Sequence, residues 1–273
     1  MKTIHTHQIQ SAIETLCLKA NTILDPAVET AFQSYSDNEV IRDLIQNADI
    51  ARADSVPLCQ DTGLVIVFLE IGQEVHIEGA PLTDAVNAAV ANAYAEHYLR
   101  KSVLNDPLLR QNTQTNTPAI IHTEIVPGDQ LKIKVCPKGG GSENKSALRM
   151  LTPADGRDGV AQFVLETVRK AGASACPPYV VGVGIGGTFD SVALLAKKAL
   201  FRELGISHTM PHLAELETEL LAKINQLPIG PAGFGGSPTA LAVHVEIAPC
   251  HIASLPVAVN IDCHIHRHAE MVL

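Results

Sequence analysis

The sequence Cys59-Gln60-Asp61-Thr62-Gly63-Leu64-Val65-Ile66-Val67-Phe68-Leu69-Glu70-Ile71 joins a polar turn to an apolar run. The apolar run, residues 64–71, predicts a β-strand. The five residues before it carry a thiol, an amide, a carboxylate, a hydroxyl and a glycine in succession. Polar and reactive groups concentrated at the end of a predicted element are typical of a functional site.

The residues before this turn predict a helical leader over residues 1–50. Apolar side chains recur there at intervals of three and four, which is helical spacing. Asp25-Pro26 and Ser36-Asp37 are favourable starts for a second and a third helix. Cys17 lies between two leucines of the first helix, so we interpret it as a packed thiol.

The rest of the chain predicts strands and helices in irregular alternation. We expect further strands at 75–77 and 180–188, helices at 81–103, 158–171, 191–200 and 208–226, and closing strands at 240–247 and 253–261. Residues 119–126 and 130–135 predict two strands joined by a tight turn at Pro127-Gly128-Asp129. The expected fold class is α/β (mixed α+β), with residues 1–273 forming one large domain.

Composition and charge exclude several classes of protein. The 273 residues are 46% hydrophobic and only 4% aromatic, and the formal net charge is −9. A nucleic-acid partner is not expected, because binding a polyanion needs clustered Lys and Arg. The polar start at Met1–Gln8 and the lack of any apolar run of about 20 residues predict a cytoplasmic protein with no membrane segment.

Two glycine-rich stretches indicate different things. Lys138-Gly139-Gly140-Gly141-Ser142-Glu143 follows a predicted strand, and its backbone N–H groups could bind an anion. Its spacing does not match a nucleotide-binding P-loop. Gly182–Thr188 also contains several glycines, but they lie partly within a strand and form no GxGxxG turn, which argues against a nicotinamide cofactor.

The cysteines leave several metal interpretations open. Cys59, Cys176 and Cys263 all lie at ends of predicted elements. They could be three unrelated reduced thiols, the ligands of an iron–sulfur cluster with one open iron, or a zinc site with one open position. A rival site combines Cys263 with the alternating His264, His266 and His268, but we expect this segment to be an exposed, weakly structured tail.

Five motifs in order carry a specific family resemblance. They are CQDTG at Cys59, NTPA at Asn116, KGGGSE at Lys138, ACPPYVVGVGIGGT at Ala175 and ASLPVAVN at Ala253. With them the chain closely resembles the α subunit, or N-terminal domain, of the class I iron–sulfur fumarate hydratase and L-tartrate dehydratase family. KGGGSE and NTPA look more like the fumarase branch.

The resemblance implies a cofactor and a set of site residues. Cys59, Cys176 and Cys263 would hold a [4Fe-4S] cluster whose fourth iron has no protein ligand and acts as a Lewis acid. Gln60, Arg100, Gly140 and Gly141 would bind a small dicarboxylate substrate. Asp61 and His251 would be catalytic.

The resemblance also implies a reaction and a partner. We expect the α subunit of a hydro-lyase that adds water to fumarate to give malate, in a hetero-oligomer, α2β2, with a β subunit that carries further catalytic groups. The sequence ends at Leu273 without them, so we expect no activity from this chain alone. One alternative is the α subunit of an L-tartrate dehydratase or another hydroxy-diacid dehydratase. A non-catalytic metal-binding paralogue is a second alternative, suggested by the histidine-rich segment and by the lack of lysine in residues 235–239.

Overall fold

The structure is a computed structural model that describes residues 2–273 and has mixed helices and strands, which confirms the predicted fold class. The helices are α1 (Thr6–Thr22), α2 (Pro26–Gln33), α3 (Glu39–Asp54), α4 (Leu82–Glu96), α5 (Gly140–Glu143), α6 (Gly156–Ala171), α7 (Ser191–Ala199) and α8 (Pro211–Asn225). The strands are β1 (Lys2–His5), β2 (Leu64–Gly72), β3 (Val75–Glu78), β4 (Leu104–Asp106), β5 (Gln111–Asn112), β6 (Ile120–Val126), β7 (Leu131–Lys138), β8 (Ala147–Leu151), β9 (Tyr179–Gly186), β10 (Ala240–Ala248), β11 (Leu255–Asp262) and β12 (Ala269–Val272).

The chain divides into two compact units. The first unit comprises the chain up to Asp25, Gln46–Gly140 and Arg267–Leu273, and the second comprises Pro26–Ile45 and Gly141–His266. Most of the predicted helical leader is helical, in α1, α2 and α3. The expectation that residues 1–273 act as one domain stays a prediction. No helix of residues 2–273 is long and apolar enough to cross a membrane.

The first unit is built on a four-stranded sheet in the order β12-β7-β2-β6. Side chains of β2 and β7 share one core with helices α1 and α4, for example Val67 with Leu16 and Val90. Nearly every residue of β2 is buried. This confirms the predicted strand, and its burial explains why the sheet is assembled around it.

The predicted hairpin of β6 and β7 was wrong, because β2 lies between these two strands. It pairs antiparallel with β7, with Leu64 opposite Lys138 and Ile71 opposite Leu131, and parallel with β6. Strand β6 is mostly exposed or half-buried, which suits an edge, whereas the apolar β2 is stable only in the interior. The chain does bend at residues 127–129, as predicted. However, the carbonyl of Val126 at the start of the bend accepts the backbone N–H of Gln73, which follows β2, at 2.8 Å.

Two further predictions needed correction. Helix α4 ends at Glu96 and not near Val103, since Tyr98 has a positive φ of 53° and the chain leaves the helix there. The segment after Cys263 is not an exposed tail. Ile265, His266 and Arg267 are 3%, 1% and 5% exposed, and β12 pairs with β7.

The second unit contains a sheet in the order β10-β9-β11-β8 with helices on both faces. Val181 and Val183 of β9 pack with α6 and α8. The intervening residues Gly182 and Gly184 point to the other face, where α7 lies. A Cβ atom at Gly182 would lie 2.2 Å from the carbonyl oxygen of Ala196. The glycines of this strand therefore allow a helix to approach and do not form a nucleotide-binding turn.

We expect Gly182→Ala to destabilise the protein by about 3 kcal/mol, because the added methyl group collides with the backbone of α7. Urea unfolding followed by circular dichroism measures the change. The matched control is Gly141→Ala, whose Cβ would meet its nearest neighbour, the Ser174 carbonyl oxygen, at an ordinary 3.5 Å. Equal unfolding midpoints for the two variants would contradict this account of the packing.

Candidate functional site

The register of β2 and β7 brings the CQDTG turn next to the KGGGSE segment. Since Leu64 pairs with Lys138, the residues before β2 lie beside the residues after β7. Gly63 has a φ of +73°, and a Cβ atom there would lie 2.7 Å from the backbone of Lys138. Only glycine allows two backbones to approach this closely.

Asp61 is fixed by hydrogen bonds from both segments. Its Oδ1 accepts the N–H of Gly63 at 3.0 Å, and its Oδ2 accepts the N–H of Gly140 at 2.9 Å. The Gly140 donor that the sequence assigned to a substrate carboxylate therefore binds the Asp61 carboxylate within the chain. The half-buried Asp61 has a defined orientation at the surface of the first unit.

Buried side chains hold the rest of the turn. The hydroxyl of Tyr94 donates to the carbonyl of Thr62 at 2.6 Å, and Asn116 of the NTPA motif donates to the carbonyl of Gly63 at 3.2 Å. Burial raises the pKa of Tyr94 far above its usual value, so the hydroxyl keeps its proton. Thr62 donates to the carbonyl of Arg100 at 3.1 Å. This bond places the backbone of Arg100 next to the turn.

Cys59 presents a thiol at the start of the same turn. It is half-buried, and its Sγ accepts the N–H of Asp61 at 3.4 Å. Gln60 is exposed, with its Oε1 3.9 Å from that Sγ. The turn thus gathers a thiol, an amide and a carboxylate, as the sequence predicted, with Arg100 tied to it by Thr62.

Arg267 was missed by the sequence analysis. Its guanidinium is buried and donates to the backbone carbonyl of Asp61 and to Oδ1 of Asn21. No local pattern marked it, because residues 264–268 form a turn and irregular chain in which Ile265, His266 and Arg267 are all buried.

In the second unit, the segments that carry Cys176 and Cys263 are adjacent. The carbonyl of Cys176 accepts the backbone N–H of His264 at 3.1 Å, and the Nδ1 atom of His264 lies 3.2 Å from the same oxygen. Cys176 is exposed with a φ of 56°, and Cys263 is half-buried. His264, which follows Cys263, therefore ties the two cysteine-bearing segments together. This role of His264 was not predicted from the sequence.

The remaining cysteines differ in environment. Cys17 is fully buried, and this burial raises the pKa of its thiol to about 12, which confirms the packed role. Cys136 is also buried, whereas Cys250 is exposed. Across residues 2–273, no group of three or more His, Cys, Asp or Glu side chains forms a metal site, so the ligand role of Cys59, Cys176 and Cys263 stays a prediction.

His251 lies in the second unit at a cavity of about 490 Å³. Most of the lining is apolar, with Ile185, Leu216 and Leu255 among the residues. The Nδ1 atom of His251 accepts the N–H of Ala253 at 3.1 Å, so a neutral imidazole carries its proton on Nε2. The exposed His251 can therefore offer an N–H donor to a ligand.

Two family-like motifs meet in a polar network of the second unit. Glu143 of KGGGSE accepts from Lys197 at 2.8 Å and from Asn260 of ASLPVAVN at 3.0 Å. Asn260 also donates to the hydroxyl of Ser146 at 2.8 Å. These contacts connect α5, α7 and β11, so we interpret Glu143 and Asn260 as structural residues of their motifs.

Comparison with known proteins gives a consistent result. A protein of Methanocaldococcus jannaschii described as "Putative L(+)-tartrate dehydratase subunit alpha" is 46% identical over 252 residues, covering 89% of this chain and 88% of that protein. The L(+)-tartrate dehydratase subunit alpha of Escherichia coli K12 is 33% identical over 220 residues, covering 80% of this chain and 72% of its own. The family model described as "Fumarate hydratase (Fumerase)" matches residues 10–272. The chain therefore belongs to the fumarate hydratase (Fumerase) family.

Proposed function

We propose that this chain is the α subunit of a hydro-lyase that removes water from a hydroxy-diacid of the L-tartrate type. The observation that carries the proposal is the fixed CQDTG turn, in which Asp61 is held by two N–H donors next to Cys59 and Arg100. The names of the relatives support the tartrate type and the α-subunit role. Removal of water from such an acid needs a group that moves a proton beside a carboxylate.

Hydration of fumarate is the second candidate, favoured by the description of the family model. The motifs KGGGSE and NTPA favour it, because they resemble the fumarase branch. The contacts of Glu143 and Asn116 weaken that argument, since both side chains bind groups within their own unit. Asn116 donates to the carbonyl of Gly63, and Glu143 accepts from the side chains of Lys197 and Asn260. Residues that serve packing do not discriminate between two diacids, so the relatives carry more weight.

We further propose that Cys59, Cys176 and Cys263 hold a [4Fe-4S] cluster. The donors suit it, because all three are cysteines outside any disulfide with some exposure, and the Asp61 N–H already donates to Cys59 Sγ. When bound, the cluster supplies a Lewis acid that assists departure of the hydroxyl group. Neither buried cysteine, Cys17 nor Cys136, has this accessibility.

The remaining groups bind the substrate and move protons. Arg100, Gln60 and the N–H of Gly141 would bind carboxylates, because they are exposed. Asp61 would belong to the acid/base relay, and His251 would donate its Nε2 proton to the substrate. In the elimination a C–H and a C–O bond break and a C=C bond forms, and the proton and the hydroxide leave as water.

A β subunit is proposed as the partner, in an α2β2 assembly. Its support is the word "alpha" in the names of the relatives. We propose that the β subunit supplies the other half of the acid/base relay, so that this chain alone has no turnover.

Anaerobic reconstitution with iron and sulfide is expected to protect Cys59, Cys176 and Cys263 from iodoacetamide, because ligated thiolates do not react with it. Cys250 is the internal control: it is exposed and proposed to remain outside the cluster, so it should be alkylated before and after reconstitution. Mass spectrometry of the peptides measures each site. Unchanged labelling of the three ligand cysteines in protein that has taken up iron would refute the assignment.

The complex with its β subunit is expected to turn over L-tartrate with a higher kcat/KM than fumarate or malate. Coexpression, size measurement and an anaerobic assay on each diacid provide the data. Cys59→Ser should lower turnover about a thousandfold, the size of a lost Lewis-acid contribution, whereas Cys250→Ser should not. Preference for fumarate would reverse the order of the two candidates, and a stable complex inactive on every diacid would favour a non-catalytic paralogue.

Asp61→Asn is expected to lower kcat at least a hundredfold, roughly the contribution of a general acid or base, with little change in KM. Asp190→Asn is the matched control, since Asp190 also accepts a local hydrogen bond, from Thr188 at 2.5 Å, but has no proposed catalytic role. Steady-state kinetics and urea unfolding should be measured together. If Asp61→Asn kept its kcat and lost only stability, Asp61 would be a turn residue and not part of the relay.

A further inference from the structure

We propose that Arg267 is a positioning residue that holds the backbone of Asp61 and thereby the carboxylate of the relay. This inference rests on the proposed function, because that function gives Asp61 its role. The contact between Arg267 and Asp61 does not depend on it. Arg267 lies in the first unit with Asp61 and is 5% exposed. It has no access to a diacid in solution, so it acts through the turn.

The guanidinium joins the turn to a rigid element. Its Nη1 donates to the carbonyl of Asp61 and, at 3.3 Å, to Oδ1 of Asn21. Asn21 is fully buried near the end of α1, where its Nδ2 donates to the carbonyl of Cys17 at 2.9 Å. The carbonyl of Asn21 accepts the N–H of Leu58 at 2.8 Å. Helix α1 thus fixes both Arg267 and the entry to the turn.

The other side of the contact is Gly139. A Cβ atom built there would lie 3.1 Å from Nη2 of Arg267 and 3.2 Å from Oδ2 of Asp61. The guanidinium and the carboxylate therefore flank Gly139 so closely that a methyl group there would displace one or both of them by a few tenths of an ångström. Glycine at this position lets both groups approach the backbone that leads to the Gly140 N–H.

The chemistry favours arginine over a neutral residue. Burying a guanidinium is costly, and the carbonyl of Asp61 and the amide of Asn21 offset that cost only in part. The Asp61 carboxylate near the same Gly139 supplies a compensating negative charge. A planar group can reach two acceptors in fixed directions, which an ammonium group on a flexible chain does less well.

Hydrogen exchange of the full-length chain tests the contact without any assay of activity. We expect Arg267→Gln to speed exchange of the Gly63 and Gly140 amides, which donate to Asp61, by about tenfold, the loss that one hydrogen bond to a charged group would cause. Exchange in β10 of the second unit should not change. Arg267→Lys should restore part of the protection, and the control Arg149→Gln, on a half-exposed side chain paired with Glu166, should leave both amides as they were.

Kinetics of the same variants in the αβ complex provide the second readout. Arg267→Gln should lower kcat about tenfold or more with KM nearly unchanged, because a displaced relay slows chemistry and not binding. Exchange at Gly63 and Gly140 equal to that of the unaltered chain, or raised equally in β10, would overturn the proposal. If Arg267→Gln does not fold, Arg267→Lys and Gly139→Ala take its place, and exchange at the Gly63 and Gly140 amides is again compared with exchange in β10.

The two proposals can fail separately. An unaltered complex that turns over no diacid would refute the proposed function, while the exchange comparison would still decide whether Arg267 positions Asp61. Conversely, normal exchange in an Arg267 variant of an active enzyme would refute only the positioning role.

Discussion

The antiparallel pairing of β2 with β7 is the constraint on which the first unit depends. Its register sets Leu64 opposite Lys138, and this alone decides that the CQDTG turn and the KGGGSE segment meet. A slip of one residue would move Val65, Val67 and Leu69 to the other face of the sheet and separate Asp61 from the Gly140 N–H. The register of this pair therefore specifies the position of the carboxylate.

Several polar side chains of the motifs hold the fold in place and do not face a ligand. Thr62, Asn116, Glu143 and Asn260 all bind backbone or neighbouring polar side chains within their own unit. The groups that remain accessible are fewer: the thiols, Gln60, Arg100 and His251. A motif match thus reports a shape of the backbone together with its chemistry, and shape is shared by enzymes with different substrates.

Hydrophobic spacing and turn residues predicted individual helices and strands well. They did not predict contacts between residues far apart in the sequence. Strand β2 and helix α6 followed from apolar spacing and polar boundaries, because each is decided within a short window. The β6–β7 hairpin failed since the competing partner, β2, lies about 50 residues earlier in the sequence, and a turn pattern carries no information about it.

In the candidate site, too, neighbouring residues were predicted together and a distant contact was missed. Sequence grouped Cys59, Gln60 and Asp61 because they are consecutive, and the structure keeps them together. It missed Arg267, 206 residues away from Asp61, because a single charged residue among histidines resembles a surface segment. Only burial in the folded protein distinguishes this arginine from a surface arginine. That burial depends on the pairing of β12 with β7.

The discontinuity of the first unit has a consequence for the order of events during synthesis. Strand β12 and Arg267 are translated after all of Gly141–His266, although they complete a sheet and a turn that are translated much earlier. At ribosomal speeds of about 5–20 residues per second, synthesis of that segment takes roughly 6 to 25 s. During this interval the first unit has an open edge at β7, and the Asp61 turn lacks its contact with Arg267, so both are completed only after the second unit has been synthesised.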